Sequence, residues 1–209
     1  CSRVIVHEKV KERLEEKLLN AMNKLTIGNG LESENKVGQI INEAGLEKIK
    51  KYIEIGKDEG ATLLAGGNEL VDGDFASGFY FAPTLFTDVS IEMRIAQEEI
   101  FGPVVSLIPV ASFEEAIEAN NSVTYGLSSS IFTNDVNQVF KAKRDLDTGI
   151  VYVNAGTTGA EIHLPFGGTK GTGNGHRDSG VQALDVFTEW KAVYVDYSGK
   201  LQRAQIDTE

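Results

Sequence analysis

Glu98-Glu99-Ile100-Phe101-Gly102-Pro103, followed by Val104-Val105-Ser106-Leu107-Ile108-Pro109, decides how this chain is read. The first six residues combine carboxylates with glycine and proline and read as a loop; the next six are apolar almost throughout and read as a buried strand. Downstream, a helix is expected over Phe113–Ala119, a strand over Ser128–Phe132, a helix over Val136–Leu146 and a strand over Ile150–Val153. Strands alternating with helices imply crossover connections. The expected fold is therefore α/β, a mainly parallel twisted sheet with helices on both faces.

Upstream the pattern continues. Arg3–His7 is short and β-branched, a strand. Val10, Leu14, Leu18, Met22 and Leu25 recur at helical spacing up to the turn signal Gly28-Asn29-Gly30. Leu46, Ile49 and Ile53 mark a second helix ending before Gly60, and Ala61–Ala65 a strand closed by Gly66-Gly67. Val71–Gly78 reads as a hairpin-like excursion, with Phe79–Phe81 and Thr84–Phe86 strand-like around Pro83. Toward the C-terminus, Gly156–Gly180 is glycine-dense with few periodic apolar residues, and a long ordered loop of that kind is usually functional. Val193-Tyr194-Val195 is expected as one last strand, before a polar tail, Ser198–Glu209.

The 209 residues are 41% hydrophobic and 24% charged, enough to bury a core without disulfides. A net charge of −11 argues against a nucleic-acid partner, which needs a basic face, and against an anionic membrane surface. No apolar run reaches the length of a membrane span. The single cysteine, Cys1, excludes an internal disulfide and a cysteine-rich zinc site and points to a reducing, cytoplasmic setting. The chain opens on a strand rather than on Met, so a piece of something longer is expected.

Three groups could carry chemistry. A carboxylate two residues from an aromatic, in a proline-fixed loop, can grip ribose hydroxyls and pack a flat ring; the plainer alternative is a solvated glutamate beside a core phenylalanine. Pro165–Arg177 is rich in glycine but fits neither phosphate-binding pattern, so it reads as a conformationally specialised loop. Cys1 lies at a chain end, where a thiolate is hard to preorganise. His7, His163 and His176 are too scattered for a metal site.

Together the pieces resemble the C-terminal catalytic half of the aldehyde dehydrogenase superfamily. The resemblance rests on Ser2-Arg3-Val4-Ile5-Val6, Gly78–Thr84, Glu99–Val104 (E-I-F-G-P-V), Asn120-Asn121-Ser122 with Tyr125-Gly126-Leu127, Gly149–Asn154, and Pro165–Lys170 (P-F-G-G-x-K). It implies oxidation of an aldehyde to a carboxylic acid with NAD or NADP, through a cysteine thioester that an activated water hydrolyses. By the resemblance, Glu99 holds the nicotinamide-side ribose, Phe101 packs near the nicotinamide and Leu127 lies near the same ring. Ala155, Gly156, Thr157, His163 and Phe166 would line the substrate entrance.

The resemblance also places the nucleophile four residues before Ser2, so Cys1 is not it. No catalytic residue is then assigned within the chain, since the base glutamate would also lie upstream, and the isolated chain is expected to be inactive. His176 is an apparent insertion, and Gln39 stands where the family usually has proline. Residues 1–180 would form the catalytic domain and 181–197 an oligomerisation segment, with 187–197 pairing in a homo-oligomer. The segments His163–Arg177 and Phe187–Asp207 further resemble dehydrogenases of 2-oxoglutarate semialdehyde (2,5-dioxopentanoate). Two rivals remain: a non-catalytic binding or assembly module of the same fold, and a relative that reduces acyl phosphates or acyl-CoA.

Overall fold

The structure, a computed structural model, describes residues 1–200. In chain order the elements are β1 (Arg3–His7), α1 (Lys11–Met22), α2 (Glu43–Asp58), β2 (Thr62–Ala65), β3 (Glu69–Leu70), β4 (Tyr80–Phe81), β5 (Thr84–Thr87) and α3 (Arg94–Gln97). They continue with β6 (Val104–Val110), α4 (Phe113–Asn121), β7 (Tyr125–Gly126), β8 (Ser128–Ile131), α5 (Val136–Asp145), β9 (Ile150–Val153), β10 (Thr169–Lys170) and α6 (Leu184–Phe187). The loop–strand–helix reading around Val104 therefore holds to within a few residues.

The main sheet runs β1-β6-β5-β2. β6 is parallel to both β1 and β5, and β2 joins β5 antiparallel. A separate parallel pair, β8–β9, follows α4. The short antiparallel pair β3–β4 closes the excursion expected over Val71–Gly78.

Alternation along the strands sorts side chains onto two faces. Ile5, Phe86, Val104 and Ile108 pack with Leu46, Ile49 and Ile53 of α2. Val6, Leu85 and Leu107, displaced by one residue, pack on the other face with Leu14, Leu18 and Met22 of α1. The sheet is covered on both sides, as expected.

The C-terminus of α4 links β1 of the main sheet to the short antiparallel pair β7–β10. A helix end leaves carbonyls unpaired, and here charged side chains take them. Arg3 donates to the Ala119 and Asn120 carbonyls at 2.8 and 3.1 Å, and Lys170 to those of Asn121 and Val123 at 2.8 and 3.2 Å. The Asn121 side chain donates to the Asp145 carbonyl at the end of α5 and accepts from the Asp147 amide.

One expectation fails. Among the described residues Val193-Tyr194-Val195 pairs with nothing and is not a strand; Trp190, Tyr194 and Tyr197 are each more than 90% exposed. A strand needs a neighbour to complete its ladder, and the described residues supply none. Most of the polar tail, residues 201–209, lies outside the described residues.

Candidate functional site

The loop between α3 and β6 is held at alternate residues. Ile100 is buried in the core beside α2. Gly102 is so close to α2 that a Cβ there would sit 2.5 Å from Ile49 Cδ1. Between these anchors Phe101 takes φ +60, and the residue stands 77% exposed. A left-handed aromatic residue costs about 1–2 kcal/mol, and strain of this kind collects at functional sites. The plain alternative for this loop required a core phenylalanine; the structure turns the ring outward instead.

The two carboxylates at the head of the loop differ. Glu98 accepts two hydrogen bonds from the Arg94 fork, both at 2.9 Å, and a third from the Tyr52 hydroxyl. Arg94, and then Tyr52, hold its carboxyl down at about 2. The Glu99 carboxylate is exposed and has no side-chain partner among the described residues, while its carbonyl accepts from Lys48 Nζ at 2.7 Å. Glu99 and Phe101 border a cleft of about 310 Å³ that also touches Cys1 and Ser2. The start of β1 reaches this cleft because β1 lies parallel to β6, the Ser106 amide donating to the Ser2 carbonyl at 3.0 Å.

A second cleft, about 480 Å³, is bordered by Leu127, Phe166, Gly167, Gly168, the stretch 171–174, His176 and Asp178. Phe166 and Asp178 exchange backbone hydrogen bonds at 2.6 and 2.7 Å. Within the glycine-rich chain the Gly171 amide goes to the Thr124 carbonyl, that of Thr172 to Thr169, and that of His176 to the Asn174 side chain. These three amides are held within the protein.

Of the residues singled out in the sequence, Glu99 and Phe101 share the first cleft, and Leu127 and Phe166 the second. No lining residue is common to both clefts. Ala155, Gly156, Thr157 and His163 lie on the loop after β9 and border neither cleft; all are exposed but Thr157, which is half-buried. That loop starts from a clamp: Asn154, at φ +53, exchanges side-chain hydrogen bonds with the Thr133 backbone at 2.9 and 3.0 Å. Sequence reading missed Lys48, Tyr52, Arg94 and Arg3. The four-residue step from Arg94 to Glu98 on one helical turn was the available signal; the others act across long sequence separations.

Comparison with known proteins decides the family. The aldehyde dehydrogenase family profile matches residues 1–193. The chain belongs to the aldehyde dehydrogenase family. It is 44% identical over 194 residues to the alpha-ketoglutaric semialdehyde dehydrogenase of Bacillus subtilis (strain 168), covering 93% of this chain and 40% of that protein. It is 42% identical to the alpha-ketoglutarate semialdehyde dehydrogenase of Haloferax volcanii, covering 94% of this chain and 41% of that one. The crystal structure of an NAD-dependent aldehyde dehydrogenase from Sinorhizobium meliloti superposes with a TM-score of 0.90 at 33% identity, over 97% of this chain and 39% of that one. The chain thus spans about 40% of the length of the curated relatives it matches. The subfamily resemblance read from the two C-terminal segments agrees with both semialdehyde dehydrogenases. Among the described residues no helix is long and apolar enough to cross a membrane.

Proposed function

We propose that this chain is the C-terminal catalytic part of an NAD(P)-dependent dehydrogenase that oxidises 2-oxoglutarate semialdehyde, or a similar ω-carboxylate semialdehyde, to the acid. The observation that carries the dinucleotide part of this reading is the first cleft, where an unpaired carboxylate, Glu99, and an outward aromatic residue, Phe101, stand two residues apart; the substrate class is supported by the similarity to the two semialdehyde dehydrogenases.

The cleft suits a nicotinamide riboside. A free carboxylate accepts two neighbouring ribose hydroxyls side by side, and a flat ring packs on Phe101. Bound there, the dinucleotide supplies the acceptor for the hydride that leaves the aldehyde carbon. Glu99 orients the ribose and Phe101 limits how far the ring can swing; Leu127, which lines the second cleft, is assigned to the same ring by the family resemblance alone. Ala155, Gly156, Thr157, His163 and Phe166 form the substrate entrance. The nucleophilic cysteine and the base glutamate belong to residues outside the 209, so turnover is expected only of the longer protein. Residues 187–197 serve self-association, their exposed Phe187, Trp190 and Tyr194 supporting a homo-oligomer. Light scattering of the chain at micromolar concentration tests this: a dimer or larger is expected, and a clean monomer contradicts it.

The activity test uses the full-length protein. A panel of aldehydes, with and without a distal carboxylate, is offered with NAD+ or NADP+ and dinucleotide reduction is followed. The reading expects kcat/KM to be highest for the ω-carboxylate semialdehydes. No reduction with any aldehyde would instead favour the assembly-module alternative.

A further inference from the structure

Glu98 and Glu99 are adjacent, and both border the first cleft, yet only Glu99 has a free carboxylate. What holds Glu98 comes from two helices. Arg94, at the start of α3, forks onto it with both bonds at 2.9 Å, and Tyr52, in the middle of α2, donates its hydroxyl. Planar bidentate pairing restricts orientation as well as distance. The Arg94 guanidinium also lies 5.6 Å from the Tyr52 ring centre, and Lys48 Nζ lies 5.8 Å from it while bonding the Glu99 carbonyl. The backbone on either side of the Glu99 carboxylate is therefore fixed: before it by the grip on Glu98, at it by Lys48, after it by buried Ile100 and by Gly102 against Ile49.

We propose that Glu98, gripped by Arg94 and Tyr52, is a positioning residue that sets Glu99 and Phe101 toward the nicotinamide-side ribose and contacts no ligand itself. The proposal rests on the reading of the cleft given above. The pairing has a second effect. Arg94 compensates one of two neighbouring negative charges, so the approaching dinucleotide, itself an anion, meets one unpaired carboxylate rather than two.

The test uses the full-length protein and steady-state kinetics with both substrates varied. Glu98→Gln is expected to raise KM for the dinucleotide about tenfold, the lower end for groups that orient a ligand-binding side chain. KM for the aldehyde stays within about twofold, because the substrate entrance is untouched. Arg94→Met follows the same pattern, and Arg94→Lys recovers part of the loss, since an ammonium restores charge but not the fork. The double variant Arg94→Met with Glu98→Gln is no worse than either alone, as expected of two halves of one interaction. Tyr52→Phe keeps the ring and the fold and raises the dinucleotide KM about threefold, which preserves a test should the Glu98 variants fold poorly. A dinucleotide KM within twofold of the parent in both Glu98→Gln and Tyr52→Phe overturns the proposal. So does a uniform fall in kcat, both affinities and thermal stability, the mark of a merely structural residue. Glu99→Gln separates the two levels. If it raises the dinucleotide KM while the Glu98 and Tyr52 variants do not, positioning alone fails; if it too has no effect, the reading of the cleft fails.

Discussion

Gly149 supplies the sharpest test of how the glycine-rich segment is seated. A Cβ built there would lie 1.8 Å from the Gly167 carbonyl oxygen, roughly 1.5 Å short of ordinary contact. Neither side can yield as a flexible side chain would, because both are backbone. Gly149 donates to the Gly126 carbonyl at 3.0 Å, and Gly126 is itself paired with Thr169 of β10. Opening the gap for a methyl group must break at least one of these backbone bonds or pull β10 from β7. Overpacking costs typically about 1–3 kcal/mol, and an orphaned buried amide adds about 1–3 kcal/mol. Gly149→Ala is therefore expected to lose about 3 kcal/mol or more. In urea that lowers the unfolding midpoint by about 1 M or more. Gly156→Ala is the matched control. Gly156 has nothing within 4 Å of its virtual Cβ and no positive φ, so alanine there is neutral or stabilising by up to about 1 kcal/mol through the unfolded chain. Equal stability of the two variants, within about 0.5 kcal/mol, would refute the seating of Gly167 against β9.

Phe101→Gly should be more stable than Phe101→Ala by about 1 kcal/mol, because only glycine takes the left-handed bend without cost; denaturant titration reads the difference, and equal stability contradicts the bend. Glu98 has its carboxyl lowered to about 2 from an ordinary 4.5, chiefly by Arg94. A depressed carboxylate stabilises fully above its unfolded value and loses that contribution as pH falls toward its folded value. The parent should thus lose stability relative to Glu98→Gln between about pH 4.5 and 2, and parallel curves in acid-dependent melting would contradict the grip. Lys170 bonds two carbonyls and lies 3.2 Å from an Asp147 carboxylate oxygen. Lys170→Met should cost about 2 kcal/mol, with a loss below 0.5 kcal/mol showing that α4 does not depend on it.

Much of the fold was legible because its signals are local. The apolar run at Val104, the periodicity of Leu14, Leu18 and Met22, and the glycine turn after α1 each report their own neighbourhood. Even the excursion at Val71–Gly78 could be read from glycine and polarity alone. The candidate site was legible only in part. Glu99 and Phe101 were named through a motif, but nothing local distinguishes Glu99 from Glu98; that depends on Arg94 and on Tyr52, 46 residues away. The Arg3 bond to Ala119 spans 116 residues and has no periodic trace. In α5 Phe140 is exposed despite its apolar ring, and the small Ala142 is the buried residue. Val193–Val195 has strand composition, but composition cannot provide the neighbouring strand.

The most direct test of the central claim is a crystal structure of the full-length protein with NAD+ or NADP+ bound. The account expects both oxygens of the Glu99 carboxylate within about 2.6–3.2 Å of the nicotinamide-side ribose hydroxyls, with the Phe101 ring against the nicotinamide. Glu99 facing solvent, with the ribose held by other residues, would contradict it.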